Sequence, residues 1–392
     1  MEKKGSLLEI LGTSLKLGLT SFGGPVAHLG YFKNEYIDKR KWLDDKTYAD
    51  IIALCQFLPG PASSQVGIAI GMLRGGLLGG IVSWFGFTIP SVLVLILFAL
   101  AFQSFAFGDA NFITSLKIVA VAVVAHAVLG LGKKLTPDRP RIAIAIGALV
   151  IMLLFPSAIV QISVIIGAAI LGYFMFSKDA ETKVNLFTVS ISKKAGIISL
   201  SILVILLLGL PILAQTVSNS YVSIFDTFFR VGSIVFGGGH VVLPLLEQEV
   251  VPNGLLTSNE FLAGYGMAQA VPGPLFTFAS YLGTMINGIA GGIVATIAMF
   301  LPSFLLIIGA LPFLSELRKR KSFQGILTGV NASVVGILLA AFYDPVFTSA
   351  IVSGAHFALA VILFVLMQFW KTPAWMIVII GVVLGEVLAY LF

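Results

Sequence analysis

The chain has 392 residues, of which 58% are hydrophobic and 11% charged, with a mean hydropathy of +1.03. Soluble domains carry roughly 25% charged residues, so this composition excludes an ordinary water-soluble globule and points to an all-α polytopic membrane protein. The net charge of +6 does not indicate nucleic-acid binding, because the basic residues sit in short stretches between apolar runs.

The N-terminus has Lys3 and Lys4, but the apolar stretch that follows is interrupted by Lys16 and lacks a small-x-small cleavage pattern before Phe22; it reads as mature protein. Segment Leu7–Tyr36 is broken at Gly23-Gly24-Pro25, and segment Thr47–Met72 at Pro59-Gly60-Pro61. Apolar spans follow at Gly80–Phe102, Ile113–Gly132, Ile142–Phe155 and Ile159–Phe176. A linker with Lys178, Lys183, Lys193 and Lys194 leads to the span Ile197–Leu213. Broken segments then recur around Gly237-Gly238-Gly239 and Pro272-Gly273-Pro274, before spans at Ile289–Leu311, Gly325–Phe342, Ala350–Phe369 and Trp375–Leu391. The single Cys55 excludes an intramolecular disulfide and a cysteine-based metal site.

Two halves repeat in register: residues 1–176 and 221–392, joined by a basic linker and an unpaired span over 177–220. Lys16 pairs with Arg230, Phe22-Gly23-Gly24 with Phe236-Gly237-Gly238, Glu35 with Glu249, and Gln56 with Gln269. Pro59-Gly60-Pro61 pairs with Pro272-Gly273-Pro274, and Pro90-Ser91 with Pro302-Ser303, while the offset drifts only from 214 to 212. Helix breakers and intramembrane charges at matching places are how duplicated transporters are built.

Loop charge orients the halves. Lys33–Lys46 and Lys133–Arg141 are basic in half one; in half two Glu247–Glu260 has carboxylates and no Lys or Arg, and Arg318–Lys321 is basic. Short cytoplasmic loops are enriched in Lys and Arg, so the repeats read as inverted. Parity then makes the broken segments re-entrant hairpins and leaves nine crossings; thirteen full crossings is the competing reading, which strands the basic Lys33–Lys46 stretch outside.

A half-helix beginning at the midplane presents unpaired N–H groups and a positive dipole end, which suits an anion. Gly23, Gly24, Pro25, Gly60 and Pro61 in half one, and Gly237, Gly238, Gly239, Gly273 and Pro274 in half two, would form these ends. Ser63, Ser64 and Thr277 add hydroxyl donors. Lys16 and Arg230 supply positive charge; the bland alternatives are snorkelling for Lys16 and an ion pair with Asp226 for Arg230. Gln56 and Gln269 are amide donors or interhelical packing, and His240 is a substrate contact or proton carrier. His28 does not align with His240 and ranks below it; Glu35 and Glu249 align and mark a hairpin mouth or a proton site, with interfacial solvation the favoured bland alternative. His126 reads as an interhelical hydrogen-bonder. No hydrolase elbow, phosphate-binding loop or zinc-protease motif is present, so neither catalysis nor a cofactor is expected. The small-residue faces Gly71–Gly80 and Gly283–Gly292 pack either within a monomer or between two in a homodimer.

These motifs, Ser21-Phe22-Gly23-Gly24-Pro25, Phe236-Gly237-Gly238-Gly239-His240 and the two Pro-Gly-Pro segments, resemble the chromate ion transporter family in its long, two-domain form. The resemblance covers nearly the whole chain. It implies secondary export of chromate across a bacterial inner membrane, giving chromate resistance, with sulfate as the competing look-alike. Half two has Gly239 where half one has Pro25. A sulfate or other oxyanion transporter, a passive anion channel and a subunit of a larger complex remain alternatives.

Overall fold

The computed structural model describes residues 6–21, 24–44, 47–48, 51–52, 54–55, 58–104, 111–177, 192–235, 242–313 and 321–391. Its helices in chain order are α1 Leu7–Thr20, α2 Gly24–Phe32, α3 Ala62–Ser104, α4 Asn111–Leu135, α5 Arg139–Leu154, α6 Ala158–Phe176 and α7 Lys193–Thr216. They continue with α8 Ser220–Ile234, α9 Val242–Val250, α10 Ser258–Ala270, α11 Phe278–Ala310, α12 Lys321–Ala341, α13 Gly354–Phe369 and α14 Ala374–Leu391. A π-helical turn, Lys33–Lys39, extends α2, and a second, Phe342–Phe347, extends α12. No strand occurs among the described residues.

Local chemistry sets the helix starts. Ser6, Asp138, Ser157, Ser192, Asn219 and Ser353 each accept a first-turn N–H as N-caps, and Thr257 with Glu260 completes a capping box. The Ser353 cap explains why the span expected from Ala350 begins at Gly354: extended backbone at Ser353 (φ −148°) separates the π-helical turn from α13.

Two of the longest helices are hairpins. In α3 the backbone leaves helical geometry at Gly75 and Gly76, and in α11 at Asn287 and Gly288. Gly76 and Gly288 both have φ +65°, a conformation glycine adopts without penalty. The chain doubles back tightly enough that Gly71 lies against Gly79, and Ser83 donates to the Gly67 carbonyl at 2.9 Å.

The contacts divide into two compact units that do not follow the halves of the sequence. Unit 1 comprises residues 1–98, 183–239 and 272–319; unit 2 comprises 99–182, 240–271 and 320–392. Within unit 1, α8 and α7 pack on α11, Gly18 approaches the Phe87 carbonyl, and Gly232 approaches the Met299 carbonyl. Within unit 2, α12 packs on both α5 and α6 through Gly336 against Ala145, and Gly325 and Gly329 against Gly172. There α4 also packs on α10, α13 and α14.

Six helices are long and apolar enough to cross a membrane among the described residues. Their outward faces carry large apolar side chains: Leu208 on α7 is 68% exposed and Phe174 on α6 is 71% exposed. Apolar area on that scale needs a lipid cover.

Candidate functional site

The polar groups of unit 1 gather at the two Pro-Gly-Pro turns. Gly60 has φ +113° and Gly273 has φ +103°, so each turn requires glycine. Each turn hydrogen-bonds to the segment preceding the Phe-Gly-Gly of the opposite half. Gly60 N–H donates to Val235 O at 2.6 Å, and Gly273 N–H donates to Ser21 O at 2.9 Å. A Cβ on Gly60 would meet Gln65 Nε2 at 2.8 Å and Ser303 Oγ at 3.0 Å; one on Gly273 would meet Ser91 Oγ at 2.9 Å. Each turn therefore also faces the Pro-Ser of the opposite half.

The two turns lead into different helix starts. After Pro61, α3 begins directly, with Gln65 N–H donating to Pro61 O at 2.9 Å and the Gln65 side chain to Pro59 O at 2.6 Å. After Pro274 a 3₁₀ turn, Leu275–Thr277, intervenes before α11. Thr277 Oγ1 donates to Pro274 O at 2.7 Å, whereas Ser64 at the corresponding position is buried with its hydroxyl unpartnered among the described residues. Ser63 Oγ lies 3.2 Å from Nδ1 of buried His28, whose ring meets the Phe87 ring edge-on. Besides Ser64, the buried atoms His28 Nε2, Thr88 Oγ1, Ser303 Oγ, Ser21 Oγ and Gln65 Oε1 have no hydrogen-bond partner among the described residues. Buried polar atoms are nearly always satisfied, so these groups call for a ligand or water.

Both expected cations are paired. Lys16 Nζ lies 2.8 Å from Glu35 Oε2, and Arg230 lies 3.1 Å from Asp226. Glu35 is 5% exposed, not the solvated mouth residue that its loop position suggested. Burial pushes its carboxyl up, but hydrogen bonds from Lys16 and Arg40 outweigh that, and the net shift is down. Glu9 extends this network, lying 3.7 Å from both Arg40 and Arg74 and accepting from Trp42 Nε1.

Of the other expected residues, Gly24 and Pro25 form the first turn of α2. Gln269 is in unit 2 and hydrogen-bonds Tyr265, with its Nε2 unpartnered among the described residues. Phe22, Gly23, Gln56, Gly237, Gly238, Gly239 and His240 lie outside the described residues. Sequence reasoning did not assign Thr88, Ser91 or Ser303 to the site. The signal existed, since Pro90-Ser91 and Pro302-Ser303 stand in repeat register. No group of three or more His, Cys, Asp or Glu that could hold a metal occurs among the described residues.

The apolar helices long enough to span, together with a group of buried, unpartnered hydroxyls within unit 1, mark a multi-pass membrane protein. The chain belongs to the chromate transporter family, whose model matches residues 8–173 and 222–386. It is similar to an uncharacterized transporter of Methanocaldococcus jannaschii, with 27% identity over 350 residues, covering 87% of this chain and 85% of the relative. The chromate transport protein of Pseudomonas aeruginosa is 27% identical over 342 residues, covering 86% of this chain and 80% of its own. That of Cupriavidus metallidurans is 26% identical over 344 residues, covering 86% and 82%. No solved structure matches.

Proposed function

We propose that the protein is a secondary transporter that exports chromate across a bacterial inner membrane and so confers resistance, by alternating exposure of a midplane site between two inverted repeats. The observation that carries this reading is the buried, unpartnered Ser64 hydroxyl at the start of α3, with Ser303 Oγ at the Gly60 turn and His28 beside Ser63. Chromate is a tetrahedral dianion with four acceptor oxygens. Hydroxyls, an imidazole N–H and first-turn backbone N–H groups are donors suited to it.

The reciprocal bonds Gly60–Val235 and Gly273–Ser21, and the matching close approaches Gly18–Phe87 and Gly232–Met299, support a duplicated architecture. The two stretches matched by one family model support it as well. The two ends are not equivalent in this reading. Half one keeps Pro25 and an unspent Ser64 hydroxyl, while Thr277 in half two is committed to Pro274. Substrate contact therefore centres on half one. Lys16 and Arg230 act as charges held in place by Glu35 and Asp226, and the ion pairs reduce their desolvation cost. Export of a dianion from a negative interior is favoured by roughly 2.3 kcal/mol per charge per 100 mV, so the membrane potential suffices as driving force.

The test is counterflow of labelled chromate by purified protein in liposomes. Saturable counterflow, lost in Lys16→Ala and Arg230→Ala variants that still insert, is expected. Counterflow of sulfate but not chromate would replace the substrate; non-saturable flux would make the protein a channel. No flux without added subunits would make it part of a larger complex. Sensitivity to chromate in cells with and without the protein reads the direction.

A further inference from the structure

A second polar feature lies in unit 2. A cavity of about 50 Å³ is lined by Pro156, Pro244, Glu247, Gln248, Ala341 and Asp344, among others. Glu247, on α9, is 8% exposed, and its carboxylate has no hydrogen-bond partner or cation among the described residues. Asp344, in the π-helical turn after α12, is exposed to solvent and accepts from Thr348 Oγ1 at 2.9 Å. One carboxylate is thus buried and the other stands at the surface, on the wall of one small polar space that has room for a water.

Among the described residues, the surroundings supply no compensating charge. Among the described side chains of the helices packed against α9, the titratable groups are Glu260 and Tyr265 on α10 and Tyr173 on α6, and none of them lines the cavity. On α9 itself, Glu249 does not line it either. Two carboxylates in such a space cannot both ionise cheaply. Burial and then the Asp344 carboxylate push the Glu247 carboxyl up to about 7. The nine residues of α9 are too short to span a membrane. In the repeat register Lys33 stands where half two has Glu247, so the duplication does not account for the carboxylate.

We propose that Glu247 and Asp344 form a proton-binding site, with the proton held at Glu247 and exchanged with solvent through Asp344. This inference stands independently of the substrate, because it concerns occupancy by a proton alone. In a transporter, such a buried ionisable group is a place where proton binding can be linked to substrate movement.

The experiment is infrared titration of the full-length protein in lipid vesicles between about pH 5 and pH 9, following the carbonyl stretch of protonated carboxyl groups. The expected result is a band that disappears with a midpoint near neutral pH and is missing in Glu247→Gln. In Asp344→Asn, which removes the like charge while keeping Glu247, the same band should shift to lower pH. Absence of a band titrating near neutral pH in the wild-type protein would overturn the proposal, whether or not either variant folds. Its persistence in Glu247→Gln, or a midpoint that follows sodium concentration and not pH, would overturn it as well.

Discussion

Ser64 and Thr277 occupy corresponding places after the two Pro-Gly-Pro turns, yet their hydroxyls have different fates. Thr277 donates to Pro274 within its own turn, while Ser64 is buried without a partner among the described residues. Removing a bonded buried hydroxyl costs about 1 kcal/mol, and removing an unbonded one costs little or is favourable. Thr277→Ala should therefore lower thermal stability in detergent and change substrate affinity little. Ser64→Ala should leave the melting temperature within about 1 °C while raising the KM for chromate. Equal stability losses in the two variants would remove the distinction between the ends. Glu35 gives a second residue-scale expectation. Its carboxyl is held below its ordinary value, so the stability it contributes is present above the ordinary carboxylate range and is lost as pH falls through the lowered value. Melting curves below about pH 4 should show that loss in the wild type and lack it in Glu35→Gln.

At the scale of elements, glycine decides how closely helices approach and where they turn. Gly60, with φ +113° and its α-hydrogens against Gln65 and Ser303, tolerates no side chain. Gly60→Ala should cost about 1–3 kcal/mol through backbone strain, read as a lower melting temperature together with lost transport. Gly329 packs against Ala168 and Gly172 at the crossing of α12 and α6. A Val at this position would separate the two helices and cost about 1–3 kcal/mol by overpacking. Denaturation in mixed micelles measures it, and an unchanged midpoint would show that the crossing is loose. The spans themselves were legible because long apolar runs have no other use. The reversals at Gly76 and Gly288 were not, since hydropathy does not distinguish a glycine that turns the chain from one that lets helices touch.

For the whole molecule, each compact unit draws segments from both sequence halves. The proposed inverted arrangement makes one accessible prediction. Asp38 and Asn253 are exposed, and the proposed inversion puts them on opposite sides of the membrane. Cysteines introduced there should react with a membrane-impermeant maleimide from opposite faces: Asp38→Cys only in inside-out vesicles, Asn253→Cys in intact cells. Native Cys55 is buried and should contribute no background. Labelling of both from the same face would refute the inversion.

Composition and periodicity alone determined that this chain lives in a membrane, that it is helical, that it repeats itself, and that its breaks recur in register. Those properties are local: each follows from a run of side chains or from Gly and Pro. Tertiary structure decided which groups meet. It paired Lys16 with Glu35, crossed each Pro-Gly-Pro turn onto the opposite half, and set Ser303 against the Gly60 turn. It also brought Glu247 and Asp344 to one cavity from places 97 positions apart. Whether a buried polar group is satisfied depends on neighbours distant in the chain, and no single stretch of sequence encodes that.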